Sequence, residues 1–156
     1  MGCLLTTDVF DGFRISEAVI RTGVTFSIDT HLTEGFYSPE ELSSMHLKEH
    51  EPLPFSMMRQ TFYDLIRGTH TPVFFRFVLM LSPADTARLL QKAENGLTEA
   101  DISGFFLNLT FQSGEIRATT AISYRSFPPD HSADRIWDLS VKQLFEKNGI
   151  IFEEIG

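Results

Sequence analysis

The stretch from Gly104 to Phe127, GFFLNLTFQSGEIRATTAISYRSF, decides the fold. Two runs that are typical of β-strands meet at Ser113-Gly114, where glycine tolerates the positive φ of a tight two-residue turn. This turn places Gln112 opposite Glu115, and side chains then alternate between the two sides of the strands with a period of two. The stretch therefore predicts one long β-hairpin.

One side of this hairpin is apolar and the other is polar. The apolar side carries Phe105, Leu107, Leu109 and Phe111 on one strand, and Ile116, Ala118, Thr120 and Ile122 on the other. On the polar side, Thr110 faces Arg117 and Asn108 faces Thr119. Such a pattern is typical of an antiparallel sheet that is covered on one side only.

A second hairpin is predicted over residues 13–32, with Thr22-Gly23 as its two-residue turn. In this register the apolar side carries Phe13, Ile15, Glu17 and Val19, whereas the polar side pairs Arg14 with His31 and Ser16 with Asp29. Glu17 does not fit its side, because a carboxylate on an apolar face is costly unless it is paired. We expect a β-bulge near Glu17 that turns this side chain outward.

The remaining segments complete an α+β pattern. Residues 73–81 form a nearly continuous apolar run, typical of a central strand, in which Arg76 is the one charge. Helices are expected over residues 39–50, 55–66, 83–95 and 132–148, and a short final strand over residues 150–152. We predict a single domain, 1–156: a two-layer sandwich with a mostly antiparallel sheet of about five strands, formed by two β-hairpins and a central strand, and with helices packed on one face.

Composition excludes several classes of partner. The formal net charge is −8, so nucleic acid and anionic membrane surfaces are not expected as partners. The chain has a single cysteine and no signal-peptide pattern at its start, which favours the cytoplasm. No glycine-rich phosphate loop or C-x-x-C pair occurs, and no cofactor is expected.

Several short motifs resemble a small family of bacterial proteins of unknown function, found mainly in clostridia. These motifs are Asp11-x-Phe13, Ser16-x-Ala18, Phe26-x-Ile28-Asp29, Phe36-Tyr37, Leu65-Ile66-x-Gly68 with Thr71-Pro72, and Leu81-Ser82-Pro83. The resemblance covers most of the chain. It implies a bacterial cytoplasmic protein and supplies no activity and no catalytic residue.

The polar side of the sheet is the main candidate for a binding site. By the expected register it gathers Arg14, Ser16, Asp29, His31, Arg76, Asn108, Arg117, Thr119 and Arg125. A group of arginines can hold a small anionic ligand through bidentate contacts, or it can lie in the interface of a homodimer. A solvated sheet face without a partner is the third alternative.

Residues 46–50, His-Leu-Lys-Glu-His, match the inverted zinc-peptidase motif H-x-x-E-H. On a helix, His46 and His50 could share a zinc ion while Glu49 activates water, with Glu115 as a third ligand. A metal-dependent hydrolase is therefore the alternative function. Pro52 follows at once and the surrounding sequence is polar, so the sequence favours a non-enzymatic binding or assembly module instead.

Overall fold

The structure, a computed structural model, describes residues 2–68, 70–93, 96–128 and 130–155. In these residues the elements follow in the order α1 (Gly2–Thr6), β1 (Phe13–Arg21), β2 (Thr25–Asp29), α2 (Pro39–Met45), α3 (Phe55–Ile66), β3 (Phe74–Leu81), α4 (Pro83–Ala93), β4 (Ile102–Gln112), β5 (Glu115–Tyr124) and α5 (Ser132–Lys147). The strands form one antiparallel sheet in the order β2-β1-β3-β4-β5. The predicted α+β fold, with β3 as its central strand, is confirmed.

The long hairpin forms as its turn predicts. Strand β4 ends at Gln112 and β5 begins at Glu115, and the two residues between them both have positive φ, 54° at Ser113 and 79° at Gly114. Phe105, Leu107, Leu109 and Phe111 are all buried, as expected for the apolar side. On β5, an edge strand, Ile116 remains 44% exposed, so this side is less completely covered near the turn.

The register that we predicted for the first hairpin is wrong by one residue. Arg21 pairs with Thr25, and Ile20 pairs with Phe26, so the connection contains three residues, Thr22, Gly23 and Val24. The backbone N–H of Thr22 donates to the carbonyl oxygen of Val24 over 2.8 Å, which closes this longer turn. In this register Ala18 and Ile20, which face the core, pair with Ile28 and Phe26, whereas Val19 and Arg21 face the other side.

The predicted β-bulge near Glu17 is present. Ile15 pairs with Leu79 and Glu17 pairs with Val78, so Ser16 is an extra residue on β1 without a paired residue on β3. The buried hydroxyl group of Thr30 donates to the carbonyl oxygen of Ile15 beside the bulge. Because the extra residue reverses the alternation, Glu17 is turned outward and Ala18 is fully buried.

Residue contacts divide the chain into two units, and the first comprises Met1–Ser82 with Leu107–Thr119. In this unit Phe55 and Phe62 of α3 contact Phe77 of β3, with ring centroids 6.5 and 4.9 Å apart. Phe75 stacks on Phe111 at 5.2 Å. The first unit therefore has an aromatic core between α3 and one side of its strands.

The second unit comprises Pro83–Phe106 with Thr120–Gly156. Trp137 of α5 lies 5.4 Å from Phe105 between ring centroids, and its indole N–H donates to the carbonyl oxygen of Phe106 over 2.8 Å. Along α5 the buried residues are Ala133, Trp137, Val141 and Phe145. The apolar stripe of this helix thus packs on the second unit's own strand residues, as its spacing predicts.

Two local predictions need correction, and one helix was not predicted. Helix α2 ends at Met45 instead of continuing to about residue 50, because His46 adopts a left-handed conformation with φ 56°. Residues 150–152 form no strand; Phe152 instead contacts Phe145 at 5.6 Å. Helix α1 was not predicted; its Leu4 and Leu5 are buried, and the helix packs against α3. The predicted helix end at Asn95 lies outside the described residues.

Candidate functional site

The strands of the first unit have one side that faces away from Phe75 and Phe77, and we call this side the open face. Among the described residues, no helix of the first unit is seen to pack on it. Its members on the first three strands follow from the pairing of Glu17 with Asp29 and Val78, and of Val19 with Ser27 and Arg76. Because Phe111 stacks on Phe75 on the core side, Thr110 and Asn108 of β4 belong to the open face. The two-residue turn then adds Arg117 and Thr119 of β5.

The centre of the open face is less polar than the sequence suggests. Phe74, Val78 and Met80 of β3 and Val19 of β1 lie on it, and all four are half-buried. The predicted register had turned Val19 toward the core, and the nearly all-apolar sequence of β3 concealed which of its residues point outward. The open face therefore has an apolar strip along its central strand, which sequence analysis missed.

Each arginine of the open face already has a neighbour of suitable chemistry. The guanidinium of Arg76 is 2.5 Å from the carboxylate of Glu17, and that of Arg117 is 3.8 Å from Glu115. Arg21 lies over the ring of Phe74 at 5.3 Å, a cation–π arrangement. Arg21 was not among the predicted site residues, because the predicted register placed it on the core side. Glu17 was expected to turn outward but was not included among them.

Charge is unevenly distributed across the strand order. Asp29 on β2 and Glu17 on β1 lie toward one edge of the sheet, whereas Arg117 lies on β5 at the opposite edge, beside Glu115. The side chains of Asp29 and Arg117 are 80% and 67% exposed. The open face is thus mixed in sign, instead of the concentrated basic patch that we expected.

The structure separates Ser16 and Arg125 from this group and places Arg14 and His31 at its margin. Arg14 lies opposite Met80 on the same side of the sheet, but it is only 14% exposed, because its guanidinium contacts Glu51 at 3.3 Å and the carbonyl oxygen of Pro52 at 3.2 Å. Ser16 is the bulge residue. Arg125 belongs to the second unit, where its Nε donates to the carbonyl oxygen of Glu99. The remaining predicted residues of the open face are Asp29, Arg76, Asn108, Arg117 and Thr119.

His31 follows β2, and its side chain lies against Asp29 at the margin of the open face. Its backbone N–H donates to Asp29 over 3.0 Å, and its Nδ1 lies 2.6 Å from the same carboxylate oxygen. The backbone hydrogen bond, then the contact with the ring, lowers the pKa of Asp29 below its ordinary value. Asp29 therefore stays negatively charged on the open face at neutral pH.

The H-x-x-E-H segment does not form the predicted arrangement. His46 ends α2 and His50 lies in the following turn with φ 66°, so the two histidines are not one helical turn apart. In the described part of the chain, His50 and Glu49 instead approach Glu34, and neither His46 nor Glu115 joins them. Nothing in this geometry favours the metal-dependent hydrolase.

Among the described residues, no helix combines the length and the apolar character that crossing a membrane requires. A family model described as "Family of unknown function (DUF5721)" matches residues 3–153 of the chain. No curated protein and no solved structure matches the chain.

Proposed function

Since the chain belongs to the family of unknown function DUF5721, we propose its function from the open face: the protein is a non-enzymatic assembly module that binds a second copy of itself. The observation that carries this proposal is the apolar strip of Phe74, Val78 and Met80 on the central strand, which is interrupted by Arg76 and has charged side chains on both sides of it. Protein interfaces combine an apolar centre with a polar rim that includes arginine. The single cysteine is compatible with action in the cytoplasm, which we include in the proposal.

A two-fold arrangement brings opposite edges of the two open faces together. If two copies pack face to face about an axis parallel to β3, β3 lies over β3 and β2 of one copy lies over β5 of the other. Asp29 would then come within side-chain reach of the partner's Arg117, and the pair would occur twice by symmetry. The apolar strip would lie on the axis, where both copies contribute it.

The area of the face is sufficient for a stable contact. In the first unit the five strands, about 4.8 Å apart, present about five to nine residues each at roughly 3.4 Å per residue, which gives a face of roughly 540 Å². Two such faces would bury roughly 1,080 Å² in total, just above the roughly 1,000 Å² that a specific interface needs.

A small anionic ligand is supported less well. Binding an anion at Arg76 or Arg21 would require the guanidinium to leave Glu17 or the ring of Phe74, respectively. The nearby carboxylates of Glu17 and Asp29 would also repel the ligand. A second copy of the chain avoids both costs, because its own mixed charges can match those of the first.

The proposal is tested by sedimentation of the untagged protein at micromolar concentration. We expect a dimer, and we expect Arg117→Glu to weaken it by about tenfold or more, because the new carboxylate would face the partner's Asp29. Asp29→Lys should have a similar effect. Combining Asp29→Lys with Arg117→Glu should recover much of the association, since the exchanged charges attract again.

Arg88→Glu provides the matched control, because Arg88 is 76% exposed on α4 in the second unit and the substitution changes the net charge equally. This variant should associate as the native protein does, and urea unfolding should show that the variants of the open face remain folded. A native protein that is monomeric at these concentrations would overturn the proposal. A dimer that tolerates both single changes would overturn our choice of face.

A further inference from the structure

Two β-turns bring three potential metal ligands together in the first unit. Glu34 lies in a turn closed by the bond from the N–H of Phe36 to the carbonyl oxygen of Thr33. Glu49 and His50 lie in a second turn, closed by the bond from the N–H of Glu51 to the carbonyl oxygen of Lys48. The ligand groups of Glu34, Glu49 and His50 therefore come from the centres of two separate turns.

Backbone hydrogen bonds hold these turns against each other. The N–H of His50 donates to the carbonyl oxygen of Leu32 over 3.2 Å, and the N–H of Leu32 donates to the carbonyl oxygen of Glu51 over 3.0 Å. The carboxylate of Glu49 accepts from the N–H of Gly35 over 3.2 Å. The main-chain positions of the three residues are thus fixed by these backbone contacts, independently of the ion pair between Glu34 and His50.

The distances suit a single ion. One oxygen or nitrogen atom from each of the three side chains lies within 4.8 Å of the others, and His50 Nε2 lies 3.7 Å from Glu34 Oε2. Two ligands on one ion lie at most about 4.2 Å apart, twice a bond of about 2.1 Å. The pair of His50 and Glu34 already meets this limit, and a small rotation of an exposed carboxylate brings in the third ligand.

The combination of ligands indicates which ion would bind. Imidazole nitrogen suits zinc and other first-row transition ions, and it distinguishes them from magnesium and calcium, which prefer oxygen ligands alone. His50 and Glu34 are 69% and 76% exposed, so water can complete the coordination. Two carboxylates also match a divalent charge.

We propose that Glu34, Glu49 and His50 form a site for one divalent transition-metal ion, with Zn²⁺ bound more tightly than Mn²⁺. The site joins the two turns and stabilises the segment between β2 and α3. It uses only the last two residues of the H-x-x-E-H segment.

The test is titration of the untagged, metal-stripped protein with Zn²⁺, Mn²⁺ and Mg²⁺ by calorimetry. We expect one Zn²⁺ per chain, weaker binding of Mn²⁺ and negligible binding of Mg²⁺. Zn²⁺ should also raise the unfolding temperature, since an ion that binds only the folded chain stabilises it. Glu34→Gln and His50→Asn should each weaken Zn²⁺ binding by at least the roughly 10–100-fold that loss of a supporting residue costs in known sites.

His46→Asn is the matched control. His46 and His50 both adopt left-handed backbone conformations, with φ of 56° and 66°, and asparagine tolerates this conformation well. Only His50 belongs to the proposed site, so His46→Asn should leave Zn²⁺ binding unchanged. The proposal is overturned if the native protein binds no Zn²⁺, or if His46→Asn reduces binding as strongly as His50→Asn.

Discussion

Tyr124, the last residue of β5, shows how burial and a hydrogen bond together raise a pKa. Its hydroxyl group donates to Asp134 of α5 over 2.9 Å, and partial burial followed by this bond raises the pKa of Tyr124 to about 12. Because the pKa is higher in the folded chain than in the unfolded chain, the associated stability is fully present below about pH 10 and is lost as the pH rises toward 12.

The prediction at this scale is that Tyr124→Phe removes a step near pH 12 from the phenolate absorbance titration of the chain's three tyrosines. Asp134→Asn should keep the step but move it to lower pH, because burial remains while the negative charge is gone. An unchanged titration curve in Tyr124→Phe would show that Tyr124 does not titrate there.

At the scale of the element, the two hairpin turns make opposite predictions for the same substitution. A Cβ atom at Gly114 or at Gly23 would meet nothing within 4 Å, but only Gly114 has a left-handed φ, 79°. Gly114→Ala should therefore lower the free energy of unfolding by about 1–2 kcal/mol. Gly23→Ala should leave it unchanged or raise it by up to about 1 kcal/mol. Urea unfolding of both variants measures the difference, and equal effects would contradict this account.

The same two turns explain which elements could be predicted. Ser113-Gly114 is a two-residue turn that residue preferences define well, so the register of β4 and β5 followed from the sequence. Thr22-Gly23 gave a similar signal, yet the turn also includes Val24. The bulge was predicted from Glu17, because a carboxylate among apolar positions has a clear energetic cost. The three-residue turn has no such marker, so the register error was not visible in the sequence. The outward position of Val19 follows from the bulge itself, since an extra residue reverses the alternation beyond it.

At the scale of the whole molecule, the fold class could be predicted but the composition of the open face could not. Alternating runs and helix caps report local structure, and they gave the element order from β1 to α5 correctly. Which residues share a surface depends on strand pairing between distant segments. Arg14, for example, is partly buried by Glu51 and Pro52, and nothing in its own neighbourhood indicates this.

The proposed dimer should depend on salt in a defined way. Its charged pairs, Asp29 with the partner's Arg117, lie at the rim, where ions screen them. We expect the dissociation constant to rise several-fold between low and high sodium chloride concentration, and this dependence should be smaller in Arg117→Gln. Sedimentation equilibrium at both salt concentrations checks this. A dimer that tightens as salt is added would indicate an interface dominated by the apolar strip alone.

The bulge at Ser16 also bears on how proteins of this family can differ in length. Because Ser16 is the residue in excess, a chain that lacks it keeps Ile15 and Ala18 facing inward and Glu17 facing outward. Losing a single residue from the middle of β1 on either side of the bulge would reverse the facing of part of the strand. Insertions and deletions usually accumulate in loops, but at this bulge a strand of the sheet can lose one residue without changing which side its other residues face. A family member that is one residue shorter between Ile15 and Glu17 would therefore have the same fold with a straighter first strand.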